Sequence, residues 1–209
     1  GNSLADVLLG DVNPSGKLPF TIYTGLEQVG AHVLGDWEGK PSTTGKAWEI
    51  MGHKIPVTDL QYNEGLFVGY RYIDQNKMKP TFPFGYGISY TTYQYGKPSI
   101  DKTTIADGET VTVSVPVTNT GKVAGAEVVQ AYVQDVQSSL VRPMKELKAF
   151  QKVALQPGET KVVKLTIDKR GMSFYDDTKK AWVAEPGQFN VLIGASSQDI
   201  KGTVSFTLQ

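Results

Sequence analysis

The second half of the chain carries a period-two pattern of apolar and polar residues. In "TVTVSVPVTN", four valines from Val111 to Val117 alternate with polar residues and one proline, which is typical of a half-buried strand. The alternation recurs in "EVVQAYVQD", "KVVKLTID", "GQFNVLIGA" and "TVSFTL", and Gly-bearing turns such as "ADGET" and "QPGET" separate these segments. About seven short strands predict an immunoglobulin-like β-sandwich over residues 93–209. Pro116 places its strand at a sheet edge in this interpretation.

The first 24 residues follow a different pattern. Leu4 and Leu8 share one face of a short helical segment, and Gly10 stands where a C-cap is expected. After the turn "NPSG" comes the apolar segment "LPFTI", which predicts a brief strand. The pair looks like the terminal αβ unit of a larger α/β sandwich domain. One helix and one strand leave apolar faces uncovered, so we expect residues that precede Gly1, or another chain, to cover them.

Between these two regions the periodicity is lost. Residues 25–59 are rich in Gly, Pro, Thr and charge, and a loop of this length is usually functional or disordered. Residues 60–92 contain "YNEGLFVGYRYID" and "FPFGYGISY", whose aromatic rings need neighbours to pack against. We therefore interpret residues 25–92 as a long loop followed by an interdomain connector. The fold class predicted for the whole chain is mainly β, with the sandwich as its largest domain.

Charge and composition narrow the class of partner. Lysines plus arginines number 21 and aspartates plus glutamates also number 21, so no net charge attracts nucleic acid or an anionic membrane. No apolar run approaches the roughly 18–20 residues that a membrane span needs. Cysteine is absent, which excludes disulfides and thiolate metal sites. The chain has neither an initiator Met nor a signal peptide, which indicates a processed, truncated or subcloned chain.

Six segments of the chain together resemble a known family. In order they are "GNSLADVLLGDVNPSGKLPFT", "YNEGLFVGYRYID", "FPFGYGISYT", "VTNTGKVAGAEVVQAYV", "RPMKELKAFQKVALQPGET" and "EPGQFNVLIGASSQDI". Their order and spacing resemble the C-terminal third of family 3 glycoside hydrolases of the β-glucosidase type. The resemblance implies a multidomain retaining enzyme with a (β/α)8-like barrel, an α/β sandwich and a fibronectin type III-like domain. It assigns residues 1–24 to the end of the α/β sandwich and residues 93–209 to the fibronectin-like domain.

The resemblance also implies where the chemistry lies. A retaining glycosidase needs two carboxyl groups about 5–5.5 Å apart, one a nucleophile and the other an acid that later acts as base. In the family the nucleophilic Asp lies in the barrel and the acid/base Glu in the upstream part of the α/β sandwich. We therefore expect no catalytic residue in this chain. Asp36 precedes Trp37 as in the nucleophile motif, but Gly35 stands where that motif has Ser.

Three residues are candidates for contact with a sugar. An exposed indole can stack on a sugar ring, so Trp37 and Trp48 in the long loop are candidates, with packing against absent domains as the alternative. Glu64 precedes Gly65 near the domain junction, and a structural hydrogen-bonding role is favoured there over substrate contact. For Arg142 and Lys145 an ion pair across the junction, or a solvated position, is favoured over an anion site.

No cofactor or metal is expected. His32 and His53 are isolated imidazoles without carboxylate or cysteine at metal-ligand spacing. The aromatic cluster that includes Tyr70 and Phe84 is interpreted as interdomain packing rather than as a carbohydrate platform, because glycines flank it.

The functional hypothesis is a part of an enzyme. The chain is expected to be the C-terminal segment of an exo-acting β-glycosidase, a β-glucosidase that releases terminal β-D-glucosyl residues of oligosaccharides. The segment would brace the missing N-terminal catalytic domains, in the same precursor or a separate chain, and would be inactive alone. A periplasmic or secreted location is inferred from the family, and a homo-oligomer is left open. The alternative is a stand-alone carbohydrate-binding or structural β-sandwich module.

Overall fold

The computed structural model describes residues 1–35, 39–43, 45 and 47–209. The helices are α1 Asn2–Leu9, α2 Gly30–Leu34, α3 Tyr70–Gln75 and α4 Lys169–Met172, with a 3-10 turn at Leu26–Gln28. The first seven strands are β1 Lys40–Pro41, β2 Trp48–Ile50, β3 His53–Ile55, β4 Thr58–Asp59, β5 Tyr93–Tyr95, β6 Ser99–Ile100 and β7 Thr104–Ile105. The remaining strands are β8 Val111–Asn119, β9 Gly125–Asp135, β10 Glu146–Leu155, β11 Thr160–Ile167, β12 Phe174–Asp176, β13 Ala181–Val183, β14 Gly187–Ser196 and β15 Asp199–Leu208.

Two sheets form a sandwich in the second half of the chain, and the predicted mainly β fold class is confirmed. One sheet has the order β10-β9-β14-β15-β7, and the other has the order β11-β8-β5 with β6 also paired to β8. The pairing is antiparallel except between β15 and β7. Alternate residues of β8, β9, β11, β14 and β15 meet between the sheets in one hydrophobic cluster. The period-two pattern therefore identified the core face correctly.

Pro116 does not mark an edge strand. β8 lies between β11 on one side and β5 with β6 on the other, so the edge prediction is wrong. The backbone N–H of Gly96 donates to the Pro116 carbonyl oxygen at 2.8 Å. The nitrogen of a strand residue points to the same side as its carbonyl. The Pro116 nitrogen, which carries no hydrogen, therefore points towards residues 96–98, between β5 and β6. No backbone hydrogen bond between β8 and β11 is lost.

The opening helix is confirmed, but the strand expected after it does not form. Gly10 ends α1 in the left-handed conformation, at φ 89°. The segment from Leu18 to Ile22 runs beside residues 82–86 with backbone bonds at its two ends and one isolated bridge, between Ile22 and Phe82. Pro19 and Pro83 have no N–H to donate, which interrupts the ladder between those ends.

The connector is docked on the outer face of the five-stranded sheet. β9 is buried on both faces, because Gln130 and Tyr132 point away from the core and are still covered. The Gln130 side-chain amide donates to the Gly85 carbonyl at 3.0 Å. Gly85 has φ 78°, and a Cβ there would meet the Gln130 amide oxygen at 2.1 Å. A side chain at position 85 would therefore be strained and would displace the Gln130 amide from its hydrogen bond with the connector.

Residues 25–59 contain short elements where the sequence predicted a loop. β2 and β3 form a hairpin through Met51 and Gly52, which have φ 52° and 78° as a two-residue turn of type I′ requires. β1 and β4 form a second two-stranded ladder. All residues of these four strands are exposed. The hairpin was not predicted, because strands of three residues are too short to establish a period-two pattern.

Candidate functional site

A cluster of charged residues joins α3 to the sandwich. The Arg71 guanidinium lies 2.9 Å from a Glu146 carboxylate oxygen, and the Lys145 ammonium lies 2.5 Å from the Asp74 carboxylate. The Leu147 backbone N–H donates to the Tyr70 hydroxyl at 3.0 Å. These contacts link residues 70–74 to β10 and the residue before it. The ion pair expected across the junction is thus present at Lys145.

Arg142 lies at the centre of this cluster and is buried. Its guanidinium donates to the Asp135 carboxylate at 2.9 Å, to the Glu146 carboxylate at 3.1 Å and to the Met172 carbonyl at 3.2 Å. It also stands over the Phe174 ring, 5.4 Å from the centroid. The ion pairs of Arg142 lie within the sandwich, so this residue does not bridge the junction itself. Arg142 instead holds the Glu146 carboxylate in position, and Arg71 pairs with that same carboxylate.

Burial and neighbouring charges shift the pKa values of the titratable groups in this cluster in opposite directions. Burial opposes ionisation of Glu146, but Lys148, Arg71 and Arg142 outweigh it and lower the pKa of that carboxyl. Burial lowers the pKa of the Lys148 ammonium, and Glu146 partly restores it. Burial raises the pKa of the Asp74 carboxyl against the effect of Lys145. Glu146 is thus held as an anion by several cations at once.

A second junction ties the opening segment, residues 1–24, to β9. The Lys17 ammonium lies 2.9 Å from the Glu127 carboxylate, which also accepts a hydrogen bond from the Tyr95 hydroxyl at 3.0 Å. Burial, reinforced by the Glu127 charge, raises the pKa of Tyr95. The Asn13 amide donates to the Ala124 carbonyl at 2.9 Å. Polar contacts therefore anchor residues 13–17 to the sandwich.

The three predicted sugar-contact residues fall in different surroundings. Trp48 is 67% exposed on β2, opposite Ile55 of β3. Glu64 is only 5% exposed, and its buried Oε2 has no hydrogen-bond partner among the described residues. Trp37 lies outside the described residues, as does Asp36. The structure shows no hydrogen bond or ion pair between Trp48 and Glu64 in the part of the chain that it describes.

The buried carboxylates of the two junctions are already engaged. Asp74, Glu127, Asp135 and Glu146 each face a cation within 3.1 Å. Glu64 differs from them, because a buried carboxylate oxygen without a donor is costly unless a partner approaches from outside. Over the described ranges, no group of three or more His, Asp or Glu side chains is arranged to hold a metal ion.

A large apolar surface accompanies residues 1–90. No residue of α1 is buried, and Leu8 is 70% exposed. Leu18, Ile22, Phe82 and Ile88 line an open groove in the same region of the chain. No helix among the described residues is long and apolar enough to cross a membrane. Isolated apolar residues are normal at a surface, but contiguous patches mark sites of interaction.

Two family models match the chain. One, described as the glycosyl hydrolase family 3 C-terminal domain, matches residues 1–90. The other, described as a fibronectin type III-like domain, matches residues 127–197, within the sandwich. The fold thus combines the end of an α/β domain with a fibronectin-like β-sandwich. The boundaries at residues 24 and 92 stay predictions.

Relatives and solved structures match almost the whole chain. Beta-glucosidase BoGH3A of Bacteroides ovatus is 47% identical over 206 residues, which are 99% of this chain and 26% of the relative. Thermostable beta-glucosidase B of Acetivibrio thermocellus is 46% identical over 202 residues, 96% of this chain and 24% of the relative. The crystal structure of a beta-glucosidase from Kluyveromyces marxianus in complex with glucose aligns with 100% of this chain and 23% of its own, with a TM-score of 0.80 and 37% identity.

These matches establish the family. The chain belongs to family 3 of the glycoside hydrolases and corresponds to their C-terminal segment, as the resemblance of its motifs implied. It spans about a quarter of the length of the relatives it matches. Sequence reasoning missed Glu127 and Glu146 as junction residues. Each is an acidic residue at the start of an apolar segment, and that signal does not distinguish a junction from a solvated strand end.

Proposed function

We propose that this chain is the C-terminal segment of a retaining, exo-acting β-glucosidase that releases terminal β-D-glucosyl residues from oligosaccharides. The names of its relatives support this activity, and their identity of 46–47% extends over nearly the whole chain. The catalytic Asp and Glu lie on the N-terminal domains in this proposal, and the segment alone is inactive.

The exposed apolar face of residues 1–90 is the observation that carries the proposal. α1 buries none of its residues, although its sequence gives it an apolar face. A helix packs that face against another element in a stable domain. The remainder of the α/β sandwich is the partner that supplies this element. The segment then acts as a brace, because the charged junctions at Glu127 and Glu146 fix the α/β unit to the β-sandwich.

We assign the sugar-facing role to the loop and to Glu64. Trp48, and Trp37 in the same loop, would border the sugar site with an indole face. Buried Glu64 would accept a hydrogen bond from the catalytic domains or from the sugar, because its Oε2 has no donor among the described residues. Oligosaccharides from extracellular polymers are the substrate class, and we therefore propose a periplasmic or secreted enzyme.

A segment exchange tests this function. This chain replaces the matching segment of the Bacteroides ovatus relative, and hydrolysis of an aryl β-glucoside is measured. We expect the chimera to be active, and both the isolated chain and the relative without its segment to be inactive. Leu8→Asp should abolish assembly and activity, because a charge on α1 would be buried without a partner. Val162→Asp, at an exposed position on β11, is the matched control that should leave activity unchanged.

Three results would contradict parts of the proposal. Hydrolysis by the purified chain alone would show that catalytic residues lie within it. A chimera that unfolds cooperatively but does not cleave the aryl β-glucoside would show that the segment does not serve a β-glucosidase. Cell fractionation of the native host, with the enzyme found in the cytoplasm, would refute the proposed location.

A further inference from the structure

The small hairpin of β12 and β13 presents two aromatic rings on one face. Tyr175 and Trp182 are directly paired across the two strands, and their ring centroids are 5.5 Å apart. Tyr175 is 47% exposed and Trp182 is 45% exposed. Phe174 and Asp176, the neighbours of Tyr175 on the opposite face, are buried. The hairpin is therefore anchored by one face and shows aromatic rings on the other.

The Trp182 ring is held in place by a cation. The Arg170 guanidinium carbon lies 3.0 Å from the centroid of the indole, on one of its faces. Arg170 belongs to α4, which Asp168 caps by accepting a hydrogen bond from the Gly171 N–H at 2.8 Å. A ring fixed in this way loses little conformational entropy when a ligand packs against it. Trp182 is nevertheless almost half exposed.

A cavity of about 530 Å³ adjoins these rings, within the usual size range of small-molecule sites. The charged side chains that line it are Arg71, Arg142, Lys148, Arg170, Glu146 and Asp168. Four of these side chains are cationic and two are acidic, and Glu146 contacts three of the cations, Arg71, Arg142 and Lys148. The cavity thus offers many hydrogen-bond donors, and its lining keeps a positive net charge. The N–H groups of these cations can donate to the hydroxyl oxygens of a ligand, while the carboxylates can accept from its hydroxyl groups.

We propose that this surface is a carbohydrate-binding site for a neutral glucan chain. A sugar ring presents apolar C–H groups on its faces and hydroxyls around its edge. Its face would pack against Trp182 and Tyr175, while its hydroxyls would bond to Lys148, Arg71 and Glu146 at the cavity. The site adds glycan binding by the sandwich to the proposed function and does not depend on which bond the enzyme cleaves.

Affinity electrophoresis of the full 209-residue chain in gels that contain soluble mixed-linkage β-glucan tests the proposal. We expect the chain to be retarded, and Trp182→Ala and Tyr175→Ala to weaken the apparent affinity at least about tenfold, as truncation of an aromatic anchor does. Trp182→Tyr should keep part of the affinity. Phe150→Ala, which removes an exposed ring from β10 on the same sandwich, is the matched control and should bind as the wild type does.

A second measurement avoids any loss of folding in the variants. Titration of the wild-type chain with cellohexaose should shift the indole N–H resonance of Trp182, assigned with Trp182→Phe. Absence of retardation, retardation that Trp182→Ala leaves unchanged, or an indole shift confined to Trp37 or Trp48 would overturn the proposal. Retardation only by an anionic polysaccharide, abolished by salt, would also overturn it, because it would show a charge interaction instead of stacking.

Discussion

The two regions of this chain achieve order by different means. In the described part of residues 1–90, the buried apolar side chains are Tyr72 and Ile73, whereas the sandwich buries alternate residues of five strands in one cluster. The first region contacts the second through ion pairs at Glu127 and Glu146 and through the Tyr70 ring, whose centroid lies 6.0 Å from that of Tyr132. A region that lacks its own core depends on its neighbours for stability. The comparison therefore separates an autonomous domain from a segment that completes a larger one.

Expression of the two regions as separate fragments should show the largest difference in cooperative unfolding. We expect residues 93–209 to unfold cooperatively on heating and residues 1–92 to show no cooperative transition, because the sandwich contains nearly all of the core. Circular dichroism in the near and far ultraviolet would measure this. A cooperative transition in the first fragment would contradict the comparison, and an unfolded second fragment would refute the domain boundary at residue 92.

Paired substitutions sharpen the comparison within the intact chain. Phe189 is fully buried and stacks on Phe206 with 5.4 Å between the ring centroids, so Phe189→Ala should lower the free energy of unfolding by about 3–5 kcal/mol. Leu8→Ala, on exposed α1, should change the same quantity by less than about 0.5 kcal/mol. Urea denaturation measures both values. Equal losses would show that α1 packs against part of this chain after all.

The contact between the regions should depend on pH. Glu146→Gln should cost about 2 kcal/mol near pH 7, less than the roughly 3–5 kcal/mol for a fully buried pair, because the Glu146 carboxyl partly reaches solvent. The folded-state pKa of Glu146 is lowered from its ordinary 4.5. Its stabilisation is therefore present above pH 4.5 and is lost as the pH falls through the lowered pKa.

Unfolding midpoints of the wild type and Glu146→Gln should accordingly converge as the pH is lowered from 4.5. The control is Glu109→Gln, which removes an exposed ion pair with Lys102 and should have no measurable effect. If the unfolding midpoints of Glu146→Gln and the wild type differ by a constant amount down to pH 2, Glu146 is excluded as the titrating group.

Some features of the fold followed from local pattern and others did not. The alternation from Val111 to Val117 predicted a strand and its buried face, because side-chain direction in a strand follows sequence parity. The prediction that this strand lies at a sheet edge was wrong. The sequence does not show which strands flank Pro116, and these decide what its nitrogen faces. The β2–β3 hairpin was missed, because its exposed strands have no buried face to create a pattern.

The candidate site also has some features that the sequence predicted and others that only the structure shows. The motifs predicted the family, and the family model and relatives confirm it. That this chain contains no catalytic carboxylate is what the resemblance implies, and it stays a prediction. Trp48 and Glu64 were selected from sequence, but only the structure shows that one is exposed and that the other is buried with an oxygen that lacks a partner. The Tyr175 and Trp182 pair lies seven positions apart in the chain, and no pattern indicated that the rings share a face.

The sequence by itself determined the class of domain, the core-facing residues of the sandwich and the family. These depend on short-range periodicity and on the order of motifs along the chain. Tertiary structure alone decided that the connector covers Gln130 and Tyr132. It also decided that Glu146 contacts three cationic side chains and that the α1 face remains exposed. The physical reason is that burial and ion pairing depend on residues distant in sequence, which fold topology brings together.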